Sequence, residues 1–158
     1  MAENANPIPE AYRGATPYLI CNDAAAAIEF YKRAFGAREV FRLGAPGERV
    51  GHAEIRIDER AIVMLADKCP ELGARSPRTI GGTPVSVYVY VKDVDALTRQ
   101  AEAAGARVLR PVADQFYGDR SVHLEDPFGH RWGFATHKED LSAEEIEKRA
   151  AAMFAKKS

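Results

Sequence analysis

Apolar residues along the chain follow two periods, one helical and one alternating, and the order of those periods repeats. From Leu19 the sequence runs LICNDAAAAIEFYKRAFGAREVFRL, and from Val89 it runs VYVKDVDALTRQAEAAGARVLRPV. In each copy an apolar run ends at an aspartate, Asp23 or Asp93. An alanine-rich segment follows, and Gly-Ala-Arg leads into another apolar run. The match is one of order rather than identity, and such self-similarity is what exposes a repeated structural unit.

Asp23 and Asp93 predict helix N-caps, because a carboxylate oxygen accepts from the free amides of the first helical turn. Ile28, Phe30, Tyr31 and Phe35 in the first helix, and Val94, Leu97, Ala101 and Ala104 in the second, predict one buried face each. Gly36 and Gly105 fall where a left-handed residue closes a helix. Strands are predicted at 16–21, 38–43, 50–57 and 61–67, and again at 85–91, 106–114, 119–125 and 131–137. The turns DER, Asp58 to Arg60, and DPFGH, Asp126 to His130, join the last pair of strands in each copy.

The predicted fold is α+β: tandem βαβββ modules at 14–67 and 84–137, forming a curved mixed sheet around a cleft, plus a C-terminal helix within 138–158. Residues 1–13 read as a flexible segment, and the Gly- and Pro-rich stretch 68–83 reads as a linker. In the terminal segment Ser142 and Glu145 have capping-box spacing. Ile146, Ala150, Met153 and Phe154 form an apolar stripe suited to docking on the domain or on a second subunit. Lys156 and Lys157 suit the negative end of that helix.

Composition narrows the partners. The chain has 158 residues, 46% of them hydrophobic, which is enough for a core of its own. Its 22 Lys and Arg nearly balance 23 Asp and Glu, so no global field draws it to nucleic acid or to an anionic membrane. Cys21 and Cys69 form no C-x-x-C pair and fit a reducing compartment. With no signal-peptide pattern and no long apolar run, the expected location is the cytoplasm. The expected partners are a small molecule and a second copy of the chain.

The paired modules, with DPFGHRW in the last hairpin, resemble the vicinal oxygen chelate superfamily of glyoxalase I, bleomycin resistance proteins and extradiol dioxygenases. The resemblance spans about residues 14–137. HAEIRIDERAIVMLAD, TPVSVYVYVKDVDAL, PVADQFYGDRSVHLEDPFGH and ATHKEDLSAEEI are similar to its PhnB-like or glyoxalase-like branch. In metal-dependent members, the resemblance implies, each module supplies one ligand from its first strand and one from its last. Counting from the capping aspartates and the hairpin turn, those positions fall on Thr16, Met64, Ser86 and Gly133. None is His or Glu. Methionine and hydroxyls are poor ligands for hard divalent ions, glycine offers none, and a one-residue offset turns the neighbours to the opposite face. No metal and no other cofactor is therefore expected.

Strand parity defines a cleft-facing set. With Met64 inward, pairing across the DER turn aims His52, Glu54 and Arg56 at the cleft and buries Ala53, Ile55 and Ile57. Tyr88, Tyr90 and His123 face inward by the same logic, with Phe116, Tyr117 and Arg120 at the rim. The expected ligand-binding residues are His52, Glu54, Met64, Tyr88, Tyr90, Tyr117, Arg120 and His123; no catalytic residue is assigned. Each has a plainer role open to it: His52 bonding a neighbouring carboxylate, Glu54 pairing with Arg56 or Arg120, the tyrosines as ordinary strand residues, and Arg120 in a surface ion pair.

Three functions follow. One is a metal-free protein that binds a small planar or aromatic molecule. Another is a lyase, isomerase or dioxygenase, with a displaced metal on His52, Glu54 and His123 or with Glu54 and His52 as acid and base. A third is an interaction protein joined through its terminal helix.

Overall fold

The computed structural model describes residues 5–12, 14–45 and 47–155. The chain forms two units, one ending at Gly82 and the other starting at Thr83. In the first, a 3-10 turn at Glu10–Tyr12 precedes β1 (Tyr18–Cys21), α1 (Ala24–Phe35), β2 (Arg38–Leu43), β3 (His52–Arg56) and β4 (Ile62–Asp67). A further 3-10 turn, Pro70–Leu72, and the short α2 (Pro77–Ile80) complete it. The second unit runs β5 (Ser86–Tyr90), α3 (Val94–Ala104), β6 (Arg107–Asp114), β7 (Asp119–Glu125), β8 (Arg131–His137) and α4 (Ala143–Ala155).

Each unit has one four-stranded mixed sheet, ordered β1-β4-β3-β2 in the first and β5-β8-β7-β6 in the second. The first and last strands of each module pair in parallel, and the other neighbours are antiparallel. The α+β class and the doubled βαβββ order are those predicted from the sequence.

The two module helices, α1 and α3, begin as the sequence predicts. Asp23 and Asp93 are extended, at φ −142° each, and accept from the amides of Ala26 at 2.8 Å and Ala96 at 2.9 Å. Gly36 and Gly105 end the helices at φ 65° and 111°, where a side chain is strained. The first helical amide of each finds a partner on the last strand: Asp67 Oδ1 accepts from Ala24 at 2.7 Å, and Thr136 Oγ1 accepts from Val94 at 2.9 Å.

One face of each sheet carries its helix. α1 packs on β1, β2 and β4, and its buried Ile28, Phe30, Tyr31 and Phe35 share the core with Ile55, Val63 and Leu65. α3 packs on β6, β7 and β8, over Val122, Leu124, Trp132 and Phe134, all fully buried. Its buried stripe differs from the predicted one: Val94, Thr98 and Ala101 are covered, whereas Leu97 and Ala104 are only half-buried. Thr98 is tolerated there because its hydroxyl donates to the Val94 carbonyl at 2.7 Å.

The DPFGH hairpin is organised by Asp126, which is 2% exposed. Its carboxylate accepts from the amides of Phe128 and His130 and from Trp132 Nε1, each at 2.9 Å. The turn and the core thus share one anchor. The 68–83 stretch is more than a tether, since Ser76 is buried, caps α2 and donates to Asn22. In α4 the predicted cap is present, with Ser142 Oγ accepting from Glu145 at 3.2 Å, and no residue of the helix is buried. Lys156 and Lys157 lie outside the described residues. Among those described, no helix is long and apolar enough to cross a membrane.

Candidate functional site

The face opposite each helix carries the polar and aromatic residues. In the first unit register aligns Tyr18, Met64, Glu54 and Phe41 across the four strands, with His52 beside Leu43 in the next row. These side chains bond in series. Tyr18 Oη lies 2.9 Å from His52 Nδ1, His52 Nε2 lies 3.2 Å from Glu54 Oε1, and the Tyr12 hydroxyl donates to Glu54 Oε2 at 2.5 Å. The Tyr12 hydrogen bond, aided by His52, holds the Glu54 carboxyl below the usual carboxylate range. Its neighbour Arg56 donates instead to the Glu59 carbonyl at 2.9 Å.

In the second unit the matching row is Tyr88, Gly133, His123 and Arg110. The Tyr88 ring lies against Gly133 so closely that a Cβ there would come within 2.4 Å of Tyr88 Cδ2. Tyr88 also hydrogen-bonds Tyr117, and its hydroxyl is pushed up to about 12, chiefly by burial. Its ring centroid is 5.7 Å from that of Tyr90 and 6.4 Å from that of His123. Burial, with the nearby Arg110 charge, lowers the His123 pKa and favours the neutral ring. Asp119, almost fully buried, accepts from Tyr90 at 2.7 Å and pairs with His137 Nδ1 at 2.8 Å. His137 Nε2 meets Asp140 at 2.9 Å, and the two carboxylates raise the His137 pKa.

His52, Glu54 and Met64 therefore share the open face of the first unit, and Tyr88, Tyr90, Tyr117 and His123 cluster in the second. Arg120 is turned elsewhere, a correction to the expected rim position. It sits on the helix side with Val122 and Leu124, and forks onto Asp95 of α3 at 2.8 and 2.9 Å with Asp114 at 3.0 Å. Alternation along β7 already assigns it to that face, and the Asp95 carboxylate gives it a partner there. Glu54 pairs with Tyr12 and His52 rather than with an arginine.

Tyr12, Tyr18 and Arg110 are among the open-face residues that the sequence reading leaves out. Tyr12 lies in the stretch read as flexible and reaches a residue 42 positions away, which no local pattern reports. Tyr18 is the first residue of β1, opposite Met64. Arg110 reaches this face because the β6 register shifts between Val108 and Arg110, and the signal for that irregularity is Pro111 inside a strand.

The residues do not fit the metal of the metal-dependent relatives. Thr16, Met64, Ser86 and Gly133 offer two hydroxyls, a thioether and no side chain, and the Tyr88 ring occupies the space beside Gly133. Among the described residues no group of three or more His, Cys, Asp or Glu is placed to hold a metal ion. His52 already engages both ring nitrogens. A surface pocket of about 460 Å³ at the start of α1, lined by Asp23, Arg49 and Lys68 among others, has no aromatic wall. We place the candidate site on the open faces instead, where aromatic surface and polar groups converge.

Comparison with known proteins agrees with this fold. The model of the Glyoxalase/Bleomycin resistance protein/Dioxygenase superfamily matches residues 15–134. An uncharacterized protein of Mycobacterium bovis is 41% identical over 135 residues, covering 84% of this chain and 88% of that protein. The crystal structure of TioX from Micromonospora sp. ML1 is 28% identical with a TM-score of 0.64, over 82% of this chain and all of that one. The fosfomycin resistance protein FosX from Mesorhizobium loti is 16% identical with a TM-score of 0.57, covering 80% of this chain and 92% of its own, and shares the fold. With its doubled βαβββ order and a family match across both modules, the chain belongs to the glyoxalase/bleomycin resistance protein/dioxygenase superfamily.

Proposed function

We propose that the protein binds a small planar or aromatic molecule on its tyrosine-bearing open faces, without the metal used by other branches of the superfamily. The observation that carries this reading is the Tyr88–Gly133 contact. A position that holds a ligand in metal-dependent relatives is a glycine here, and an aromatic ring rests on it. Tyr18, Tyr88 and Tyr90 keep 48%, 42% and 54% of their surface exposed, so their rings are available for stacking.

The acid and base alternative has less support. A general base works best with a pKa near the operating pH, and Tyr12 and His52 move Glu54 the other way, toward a weaker base. His52 spends both nitrogens on Tyr18 and Glu54. The cluster reads better as a fixed polar wall that orients a ligand.

Elemental analysis of untagged protein, followed by titration with Ni, Zn, Mn and Fe, tests the metal-free half of the proposal. No stoichiometric metal is expected. Tight one-to-one binding abolished by His52→Ala or His123→Ala contradicts it. A cytoplasmic homodimer belongs to the same proposal: Cys21 and Cys69 form no disulfide, which suits a reducing compartment, and on α4 Phe154 is 61% exposed and no residue is buried, which leaves the helix free to pair. Deletion of residues 142–158 should yield a monomer on size exclusion; a dimer that persists removes that role from the helix.

A further inference from the structure

The open face of the second unit carries basic groups that its acidic ones do not match. Its carboxylates are engaged: Glu125 pairs with Arg107 at 3.0 Å, and Asp119 with Tyr90 and His137. Arg110 and Arg131 stand on the same face, in register with His123 and Ser86, and neither has an ion-pair partner among the described residues. Cations are therefore in excess. Neither nitrogen of His123 is hydrogen-bonded among these residues, although the ring is half-buried between Arg110 and the Gly133 position. Two residues along the same strand, Ser121 is 1% exposed and its hydroxyl is buried without a hydrogen-bond partner.

A buried hydroxyl without a partner is uncommon in a folded protein, and next to an imidazole and guanidiniums that also lack side-chain partners it marks a place where another molecule can complete the bonding. What completes this one must accept hydrogen bonds and carry negative charge. The row also sets a shape. From Tyr88 through Gly133 and His123 to Arg110 it crosses three strand spacings, roughly 14 Å at about 4.8 Å each. The aromatic rings lie at one end and the guanidinium at the other. A flat ring with an acidic substituent spans that order of surfaces.

We propose that this face takes a planar aromatic acid, its ring against Tyr88 and Tyr90 and its carboxylate between Arg110 and His123. The inference rests on the aromatic-binding function above and adds the charge of the ligand. A guanidinium meets a carboxylate through two parallel N–H donors, and a neutral imidazole supplies a further one from its protonated nitrogen. An amide of the same shape keeps the stacking and loses the charge.

The test is a calorimetric titration of the full chain with 2-naphthoate and its neutral isostere 2-naphthamide. Wild-type protein should prefer the acid by tenfold or more. Arg110→Gln should erase that preference while leaving the amide affinity within about twofold, and Arg110→Lys should restore part of it. Arg110 is exposed, so these variants should keep the wild-type melting temperature. Equal affinity for acid and amide in the wild type, or a preference that survives Arg110→Gln, overturns the acid anchor and leaves the aromatic-binding function standing. Binding of neither compound overturns both.

Discussion

The two units solve the same backbone problem with the same devices and then part company on their open faces. Each helix starts at an aspartate cap, ends at a left-handed glycine, and hands its first amide to the last strand of its module. Even here chemistry varies, since Asp67 accepts that amide in the first unit and Thr136 does so in the second. On the open face the difference is larger. The first unit joins Tyr18, His52, Glu54 and Tyr12 in a series, and leaves only Arg56 Nε buried without a partner among the described residues. The second buries the Ser121 hydroxyl without a partner and gives His123 and Arg110 no side-chain partner among the described residues, beside a tyrosine lying on glycine. Fold-forming positions are constrained by backbone geometry, which any copy of the module must satisfy. Open-face positions are free to follow a ligand.

The largest separation between the units is expected at their hairpin turns. Asp126→Ala removes a buried carboxylate from three donors, including the indole of Trp132, and should cost about 3 kcal/mol. Asp58 accepts from the amides of Arg60 and Ala61 at an exposed turn, and Asp58→Ala should cost about 1 kcal/mol. Urea unfolding of both variants measures the contrast; equal losses would remove Asp126 from its role as core anchor.

Next comes the last-strand position that is Met64 in one unit and Gly133 in the other. Gly133→Ala should cost about 2 kcal/mol, because the new methyl group meets the Tyr88 ring. In the Tyr88→Ala background the same substitution should cost little. A double-mutant cycle reads the coupling, and additive losses would refute the contact.

Smaller effects should appear in the response to pH, with opposite sign in the two units. Glu54 has a lowered pKa, so its contribution is complete above the unfolded value of about 4.5 and is lost as pH falls through the folded value. His137 has a raised pKa, so its contribution is complete below the unfolded value of about 6.5 and is lost as pH rises through the folded value. In thermal melts the penalty of Tyr12→Phe, about 1.5 kcal/mol at pH 7, should shrink on acidification. That of His137→Gln should shrink on alkalinisation. Penalties independent of pH would sink both assignments.

The smallest predicted change is a gain. Ser121→Ala removes a buried hydroxyl with no partner and should leave the melting temperature of the free protein unchanged or raise it slightly, by up to about 1 kcal/mol of stability. A clear loss would mean the hydroxyl is bonded after all.

Helix caps, strand alternation and the DPFGH turn were legible in the sequence because each depends on residues a few positions apart. His52, Glu54, Met64, Tyr88 and His123 could be assigned to open faces for the same reason, since parity carries along a strand once one residue is fixed. Long-range pairings were beyond that logic. Tyr12 reaches Glu54 from outside the modules, and the β6 bulge turns Arg110 round where strict alternation gives the opposite face. Arg120 was misplaced by treating its loop as a rim, although Asp95 at the start of α3 offers it a better partner.

The central claim, aromatic binding that needs no metal, is met most directly by titrating 2-naphthamide into protein dialysed against EDTA. Binding should persist unchanged in the stripped protein and weaken about tenfold in Tyr88→Ala. Binding that vanishes on stripping and returns when a divalent metal is added back would contradict it.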